Sequence, residues 1–154
     1  MEVWSRAAVL DLLRRDVWDI AEVHTDIGVA VIRYRTPILS GREVEGYDRV
    51  LKVVWPFASA DTGDLPSGEE SFRMGVFEDR LVAAVEHDAQ AVLTAILTFD
   101  GARQWVFYTG DVEECLARLE AMPQEAEPYP LELTTEEDPT WRYLGDEILK
   151  QCPR

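Results

Sequence analysis

An Asp-Gly dipeptide between two apolar segments constrains the fold of this chain most strongly. Residues 91–99 are almost continuously apolar, residues 103–108 are rich in aromatic side chains, and Asp100-Gly101 lies between them. Asp-Gly is a preferred pair for the two central positions of a tight hairpin turn, because both positions take a positive φ angle. We therefore expect a β-hairpin whose two strands are neighbours in one sheet.

Helix signals lie on both sides of this hairpin. Ser67 followed by Glu70 forms a capping box, which predicts a helix over residues 68–86. Asp111, with Glu114 at the third helical position, predicts a second helix that ends before the proline-rich segment 123–128. On the first helix, apolar residues fall at helical spacing and predict a face packed on a core: Phe72, Val76, Phe77, Leu81, Ala84 and Val85.

The first third of the chain predicts a helix, a hairpin and a strand. Residues 4–14 favour a short helix by propensity, and residues 17–24 and 28–38 are β-branched segments joined by an Asp-Ile-Gly turn. Residues 50–57 predict a strand that Pro56 ends, because proline cannot donate a hydrogen bond to a ladder. Residues 40–48 are charged and contain glycine, which indicates a loop.

The end of the chain predicts one more strand and one more helix. A polar loop over residues 58–66 precedes the first long helix, and residues 129–134 suit a short last strand. Asp138 followed by Pro139 is typical of a helix N-cap with proline at the first helical position. On a helix that begins there, the inward residues are Trp141, Leu144 and Ile148.

From residue 49 onward the predicted order is strand, helix, strand, strand, helix, strand. This order is typical of the split βαβ, ferredoxin-like unit, a four-stranded antiparallel sheet with two helices on one face. The predicted class is α+β: a ferredoxin-like βαββαβ antiparallel sheet with an added N-terminal hairpin and a C-terminal helix. We expect one domain over residues 1–154, with an extension over 1–48 and the core over 49–150. The hairpin either extends the sheet or covers part of it.

The net charge argues against two classes of partner. The 154 residues include 30 acidic and 15 basic side chains, a net charge of −15. Residues 1–52 hold 8 basic and 9 acidic side chains, whereas residues 53–154 hold 7 and 21, which places −14 in the last two thirds. This field repels nucleic-acid phosphates and anionic membrane surfaces. It serves either to keep the protein in solution or to steer a basic protein partner.

The sequence gives no sign of export or membrane insertion. No charged segment followed by an apolar run opens the chain, and no stretch approaches about 18 apolar residues, so a cytoplasmic location is expected. Cys115 lies in a helical pattern and Cys152 near the C terminus, a spacing that fits neither a metal site nor a redox pair. We expect a core thiol and a tail thiol rather than a disulfide.

Few residues suit catalysis or metal binding. His24 and His87 are the two histidines; they lie on different elements, and the three or four converging ligands of a metal site are missing. Two acidic pairs have structural explanations. Glu69 and Glu70 lie at a predicted helix N-terminus, where the helix dipole favours them, and Glu78 and Asp79 lie on the helix face opposite the apolar stripe. Neither a phosphate-binding glycine loop nor a nucleophile elbow is present. The sequence predicts no cofactor and no metal, and favours a non-catalytic protein over an enzyme.

Aromatic residues are numerous for a chain of this length. Six of them attract attention: Trp18, Trp55, Trp105, Tyr108, Trp141 and Tyr143. They either pack in the core and on the sheet faces, or Trp105, Tyr108 and Trp141 line a shallow groove for a ligand or partner. Arg103 is a basic residue in an acidic region, so we expect it to pair with Asp100 or Asp138 or to meet an anionic ligand.

Two motifs together resemble a known family. Its pattern of a Thr-x-x-Gly-x-Arg turn and an aromatic strand ending in tyrosine is matched by Thr98, Gly101, Arg103 and Tyr108. Its closing Asp-Pro-x-Trp-x-x-Tyr motif resembles Asp138-Pro139-Thr140-Trp141, although Tyr143 stands one residue early. Weaker likenesses are found at Trp18, the Gly28 turn, and Gly63, Pro66 and Glu69 or Glu70.

These motifs resemble domain-of-unknown-function family 695, a group of small bacterial proteins, over about residues 17–148. The resemblance implies a ferredoxin-like fold, and some members resemble a protein inhibitor of a ribonuclease. The family has no established activity, so the resemblance implies no chemistry.

The sequence therefore favours an acidic protein-binding or regulatory module. Because the chain is negatively charged, we expect its protein partner to be basic. The predicted binding residues are Arg103, Trp105, Tyr108, Glu70 and Trp141. The alternative is a small enzyme or ligand-binding protein with its site near Arg103, Trp105 and Glu70. An enclosed cleft favours the alternative, whereas an open sheet face or an acidic groove favours the module.

The N-terminal hairpin also predicts self-association. Residues 17–38 are rich in valine and isoleucine, and Arg33 and Arg35 are the basic residues among them. A sheet edge is either blocked or used for pairing, and this region is near neutral while the rest of the chain is negative. We expect a homodimer through this N-terminal region.

Overall fold

The computed structural model describes residues 3–57 and 66–151. The helices are α1 (Arg6–Arg15), α2 (Gly68–Glu86) and α3 (Val112–Ala121), and the C-terminal end forms a π-helix (Tyr143–Ile148) and a 3₁₀ turn (Leu149–Gln151). The strands are β1 (Val17–Thr25), β2 (Gly28–Thr36), β3 (Arg49–Pro56), β4 (Ala91–Phe99), β5 (Ala102–Thr109) and β6 (Glu132–Glu137). Residues 58–65 of the predicted loop, Gly63 among them, and Cys152 lie outside the described ranges.

All six strands belong to one antiparallel sheet, in the order β1-β2-β4-β5-β3-β6. The α+β class is confirmed. The N-terminal hairpin extends the sheet, because β2 pairs with β4 from Val31 to Tyr34. With these two added strands the six-strand order is not the classical ferredoxin-like one. Among the described residues, β1 and β6 form the two edges of the sheet.

Helices cover both faces of the sheet: the two that were predicted for one face, α2 and α3, share that face, and α1 and the π-helix cover the other. Residues of α2 and α3 pack on one face with Leu51, Leu93 and Trp105. Residues of α1 and the π-helix pack on the other face with Val50 and Val106. Both faces need a cover because neighbouring strand residues point to opposite sides and are apolar on both. No described helix has the length and apolar character needed to cross a membrane.

The local signals for the central hairpin and for α2 and α3 are confirmed. Asp100 and Gly101 both adopt positive φ angles, 49° and 78°, as the predicted turn requires. The side chain of Ser67 accepts a hydrogen bond from the Glu70 N–H, and that of Asp111 accepts one from the Glu114 N–H.

The predicted apolar face of α2 is corrected at its first position. Phe72 is 74% exposed, and the buried residues of the helix are Met74, Phe77, Leu81 and Val85. Hydrophobic character alone does not place a side chain in the core, because many apolar atoms stay on the surface of a folded protein.

The C-terminal elements are shifted along the chain from their predicted positions. The last strand is Glu132–Glu137 rather than residues 129–134, because its backbone pairs with β3 while its side chains stay exposed. Asp138 is not the N-cap residue as predicted: the N-cap of the π-helix is Arg142, and the Asp138 carboxylate accepts hydrogen bonds from the N–H groups of Arg142 and Tyr143. Pro139 is therefore not at the first helical position. The inward orientation of Trp141, Leu144 and Ile148 is confirmed.

Candidate functional site

The three aromatic residues predicted to share a groove lie on opposite faces of the sheet. Trp105 faces α2, whereas Tyr108 faces the π-helix, because residues three apart on a strand point to opposite sides. Trp141 stacks on Tyr108 with 4.3 Å between the ring centroids. All three side chains are buried with 0% exposure. The predicted groove is therefore not formed, and the packing interpretation of these residues is the one that fits the structure.

Two glutamates of α2 accept hydrogen bonds from tryptophans of the sheet. The Trp55 indole N–H donates to Glu70 at 2.8 Å, and the Trp105 indole N–H donates to Glu78 at 2.9 Å. Glu70 thus lies against Trp55 rather than Trp105. Glu78, predicted opposite the apolar face, has only 16% of its side chain exposed. The two glutamates are eight residues apart, which places them on nearly the same side of the helix.

Arg103 pairs with neither of its predicted carboxylates. Its Nε donates to the Thr98 hydroxyl at 2.9 Å, and no ion pair joins it to a described residue. Burial lowers the pKa of Arg103, the nearby Glu78 carboxylate opposes this change, and the Arg33 charge adds to it. Arg103 is therefore a half-buried cation without an ion-pair partner among the described residues, and the nearby Glu78 is paired with Arg33.

The closing motif builds a buried hydrogen-bond network. The Tyr108 hydroxyl donates to Asp138 at 2.6 Å and accepts from the Leu144 N–H at 3.2 Å. The Trp141 indole N–H donates to the carbonyl of Tyr47 at 2.9 Å. Burial and the adjacent Asp138 carboxylate raise the pKa of Tyr108, so its hydroxyl stays protonated as a donor. Asp138 therefore holds the start of the π-helix against β5.

Sequence reasoning missed a buried arginine. Arg35 of β2 is 5% exposed and donates to Glu86 of α2 at 2.9 Å and 3.3 Å, and to the Leu93 carbonyl. It also donates to Asp16 at 2.6 Å, and its guanidinium lies over the Trp18 ring at 4.9 Å. The alternation of a strand predicts that Arg33 and Arg35 share one face, and in the structure α2 covers that face. These contacts fasten the hairpin to α2.

The β6 edge of the sheet is acidic. Every residue of β6 is exposed. Between residues 132 and 147 the chain carries six acidic side chains and one basic side chain, a net charge of −5. A cleft of about 280 Å³ at this edge is lined by Glu136, Glu137, Asp138, Arg142, Tyr143 and Glu147. Part of the negative charge predicted for the last two thirds of the chain is therefore concentrated at this edge. We call β6 and this cleft the acidic edge.

The chain matches the model of DUF695, a family of unknown function, over residues 16–146, which is most of its length. The chain belongs to the DUF695 family. No curated protein and no solved structure is similar enough to match it.

In this DUF695 protein the residues that carry the family resemblance hold the fold together. Thr98 and Arg103 bond to each other across the hairpin, and Gly101 supplies the positive φ of the turn. Tyr108 and Trp141 stack in the core beneath the π-helix. Each of these roles is structural.

The groups that most often carry chemistry are poorly placed for it in the DUF695 protein. His24 and His87 are both exposed, and no group of three potential metal ligands occurs within the described ranges. Cys115 is buried, and burial raises the pKa of its thiol to about 11, which keeps it protonated at neutral pH. Asp88 is held by Arg118 at 2.7 Å and 2.8 Å, and this contact lowers the pKa of Asp88 to about 2.

Proposed function

We propose that this DUF695 protein is a non-catalytic, acidic protein-binding or regulatory module, and that its acidic edge binds a basic protein partner. One observation carries the proposal: β6 is an edge strand with every residue exposed, and its carboxylates border an open cleft. An edge strand offers backbone hydrogen-bonding groups, and the carboxylates select a cationic partner.

Ion pairs within the protein neutralise only part of this charge. Lys52 lies 3.3 Å from Glu136, and Arg49 lies 3.9 Å from Glu137. Glu136 and Glu137 stay 58% and 83% exposed, so these pairs are open to water and weak. A basic partner that displaces water at this edge can therefore compete for the carboxylates.

The experiment neutralises carboxylates at two places and compares the effects. The edge variant combines Glu132→Gln, Glu136→Gln and Glu137→Gln, and the matched control combines Glu69→Gln, Glu113→Gln and Glu120→Gln on α2 and α3. Both variants raise the net charge by three, so any difference between them reports position rather than total charge. The partner is first identified by affinity purification of the tagged protein and mass spectrometry.

Association rates are then measured for the parent and both variants over a range of salt concentrations. We expect the edge variant to lower the association rate about tenfold at low salt, and the control to lower it far less. Salt should abolish the difference, because about 0.15 M salt screens charges beyond about 8 Å. Equal effects of the two variants would overturn the assignment of the binding edge.

Binding of an anionic ligand near Arg103 is a second candidate, and it corresponds to the alternative site around Arg103, Trp105 and Glu70. The observation in its favour is the half-buried Arg103, which forms no ion pair with a described residue. Trp105 and Glu70 are already bonded elsewhere, which leaves Arg103 as the group for the ligand. Calorimetric titration with inorganic phosphate tests it; heat that disappears in Arg103→Met supports this candidate.

We also propose that residues 49–137 form a ferredoxin-like unit. The support is the order of its strands along the sheet, β4-β5-β3-β6, and the two helices α2 and α3 that pack on one face. The hairpin β1–β2 and the helices on the other face are then additions to this unit. An experimental structure at atomic resolution tests the assignment.

A further inference from the structure

The second edge of the sheet differs from the acidic edge in length and composition. Strand β1 has nine residues, and within the described chain its ladder partner is β2 alone. Its register with β2 runs without interruption from Val17 to Thr25, so no bulge twists the edge away from a neighbour. At about 3.3 Å per residue, β1 offers a strand edge of roughly 30 Å. On this edge the Ile20 N–H donates to the Asp19 carboxylate at 3.0 Å, a local bond that a partner strand must replace.

This edge lacks the usual protection against pairing. Natural edge strands are blocked by proline, lysine, bulges or short length. The sequence of β1, Val-Trp-Asp-Ile-Ala-Glu-Val-His-Thr, contains none of the residues that block an edge, apart from the two acidic side chains Asp19 and Glu22. In β6, by contrast, three of six residues are glutamate.

Exposed apolar side chains lie along the same edge. Val17 is 48% exposed and Ile20 is 63% exposed, and Ile27 at the hairpin turn is 64% exposed. Trp18 is held under Arg35, and its indole N–H donates to Asp16 at 2.8 Å. The edge is therefore an ordered strand that exposes apolar side chains beside polar ones, and a partner strand need not order it first.

We propose that β1 pairs antiparallel with β1 of a second copy, centred on Ala21, so that the two sheets become one continuous sheet. Charge favours a second copy at this place. Residues 17–36 carry three acidic and two basic side chains, a net charge of −1, in a protein whose total is −15. Two copies therefore meet with less repulsion here than at the acidic edge.

The register follows from the sequence of the strand. Centring on Ala21 pairs all nine residues and places Ile20 opposite Glu22, Trp18 opposite His24, and Asp19 opposite Val23. A shift that centres on Asp19 or on Glu22 places two identical acids directly opposite each other, which is unfavourable. Centring on Ile20 avoids this repulsion but leaves the end of the strand unpaired.

Two substitutions at Ile20 test both the dimer and its register. In the proposed register, Ile20→Glu puts a second acid opposite Glu22 at two places, whereas Ile20→Lys forms two opposite-charge pairs there. The masses of the parent and the variants are measured by sedimentation equilibrium at micromolar concentration. Thr134→Glu, on the other edge, is the control, and circular dichroism checks that each variant is folded.

We expect the parent, Ile20→Lys and Thr134→Glu to be dimers, and Ile20→Glu to raise the dimer dissociation constant roughly tenfold or more. A parent that is monomeric under these conditions would overturn the proposal, as would an Ile20→Glu variant that dimerises like the parent. If folded Ile20→Lys and Ile20→Glu are both monomers, the register centred on Ala21 is wrong.

Discussion

The two edges of one sheet have opposite character. The β6 edge is short, fully exposed and rich in carboxylates, and it continues into a segment with a net charge of −5 over residues 132–147. The β1 edge is longer and carries fewer carboxylates, and its hairpin has a net charge of −1 over residues 17–36. An edge strand must be either protected or used, and charge protects the first edge from a second copy of itself. The same charge makes that edge a surface for a basic partner.

Pairing through β1 has a consequence for binding. In a dimer joined at β1, the two acidic edges lie at the far ends of the joined sheet. Both remain free, so one dimer presents two binding surfaces, and a partner with two basic segments gains affinity from the second contact. Self-association and partner binding are then compatible.

Two tryptophans give the largest contrast between the edges. Trp141 is fully buried beside the acidic edge and stacks on Tyr108, whereas Trp18 is half-buried on β1. We expect Trp141→Ala to lower the free energy of unfolding by roughly 3 to 5 kcal/mol, because it leaves a large cavity. Trp18→Ala should cost about 1 to 2 kcal/mol, since part of the ring is already in water.

Urea denaturation of both variants measures this difference. If Trp141→Ala unfolds at the same urea concentration as the parent, the terminal π-helix is not anchored by this residue. If Trp141→Ala and Trp18→Ala lower the free energy of unfolding equally, the two tryptophans do not differ in how much they stabilise the fold.

Two ion pairs give the next contrast. Arg35 and Glu86, which fasten the β1 hairpin to α2, have 4% and 10% of their side chains exposed. Arg142 and Asp146, near the acidic edge, have 80% and 62% exposed. We expect Glu86→Gln to lower stability by about 3 kcal/mol, because it leaves a buried arginine without its main counter-charge.

The matched variant Asp146→Asn should change stability by less than about 0.5 kcal/mol. Thermal and urea denaturation of the two variants decide the matter. Equal losses would mean that the hairpin does not depend on the Arg35–Glu86 pair.

Salt should separate the two interactions. Added salt should slow association of a basic partner with the acidic edge about tenfold between low and high ionic strength, because steering acts through a screened field. The dimer should change little, since β1 pairs through backbone hydrogen bonds and apolar contacts. Sedimentation and stopped-flow association at matched salt concentrations measure both. A dimer that dissociates or tightens in step with the loss of partner association would contradict the separation.

The smallest expected effect is on pH dependence at the start of β1. The hydrogen bond from the Trp18 indole and the contact with Arg35 lower the pKa of Asp16 from its ordinary value of 3.8, and partial burial opposes them. A lowered carboxyl pKa stabilises the fold above pH 3.8, and this contribution is lost as the pH falls through the folded-state pKa. Asp16→Asn should therefore lose less stability than the parent on acidification. Urea titrations of both proteins at neutral pH and below pH 3.8 measure this, and parallel losses of stability would contradict the role of Asp16.

The local signals of the sequence predicted much of the fold. Asp100-Gly101, Ser67 and Asp111 each determine backbone geometry within a few residues, so the hairpin and the starts of α2 and α3 were predictable. Contacts between distant elements were not. Glu78 and Arg35 look like surface residues by type, and their burial depends on which helix covers which strand.

The candidate site was predictable in part. Trp105 and Tyr108 are three residues apart on one strand, so their side chains point to opposite faces of the sheet. The alternation of a strand predicts this separation. The position of β6 could not be predicted from its residues, because three glutamates are unusual in a strand and its pairing with β3 decides the matter.

Hydrogen exchange of the two edge strands tests the central claim most directly. The backbone amides of β1 and β6 are followed by mass spectrometry at low and high protein concentration. Pairing of β1 with a second copy predicts that exchange in residues 17–25 slows as the concentration rises, whereas exchange in residues 132–137 stays the same. Concentration-dependent protection of β6, or equal exchange of β1 at both concentrations, would contradict the account of two edges with different uses.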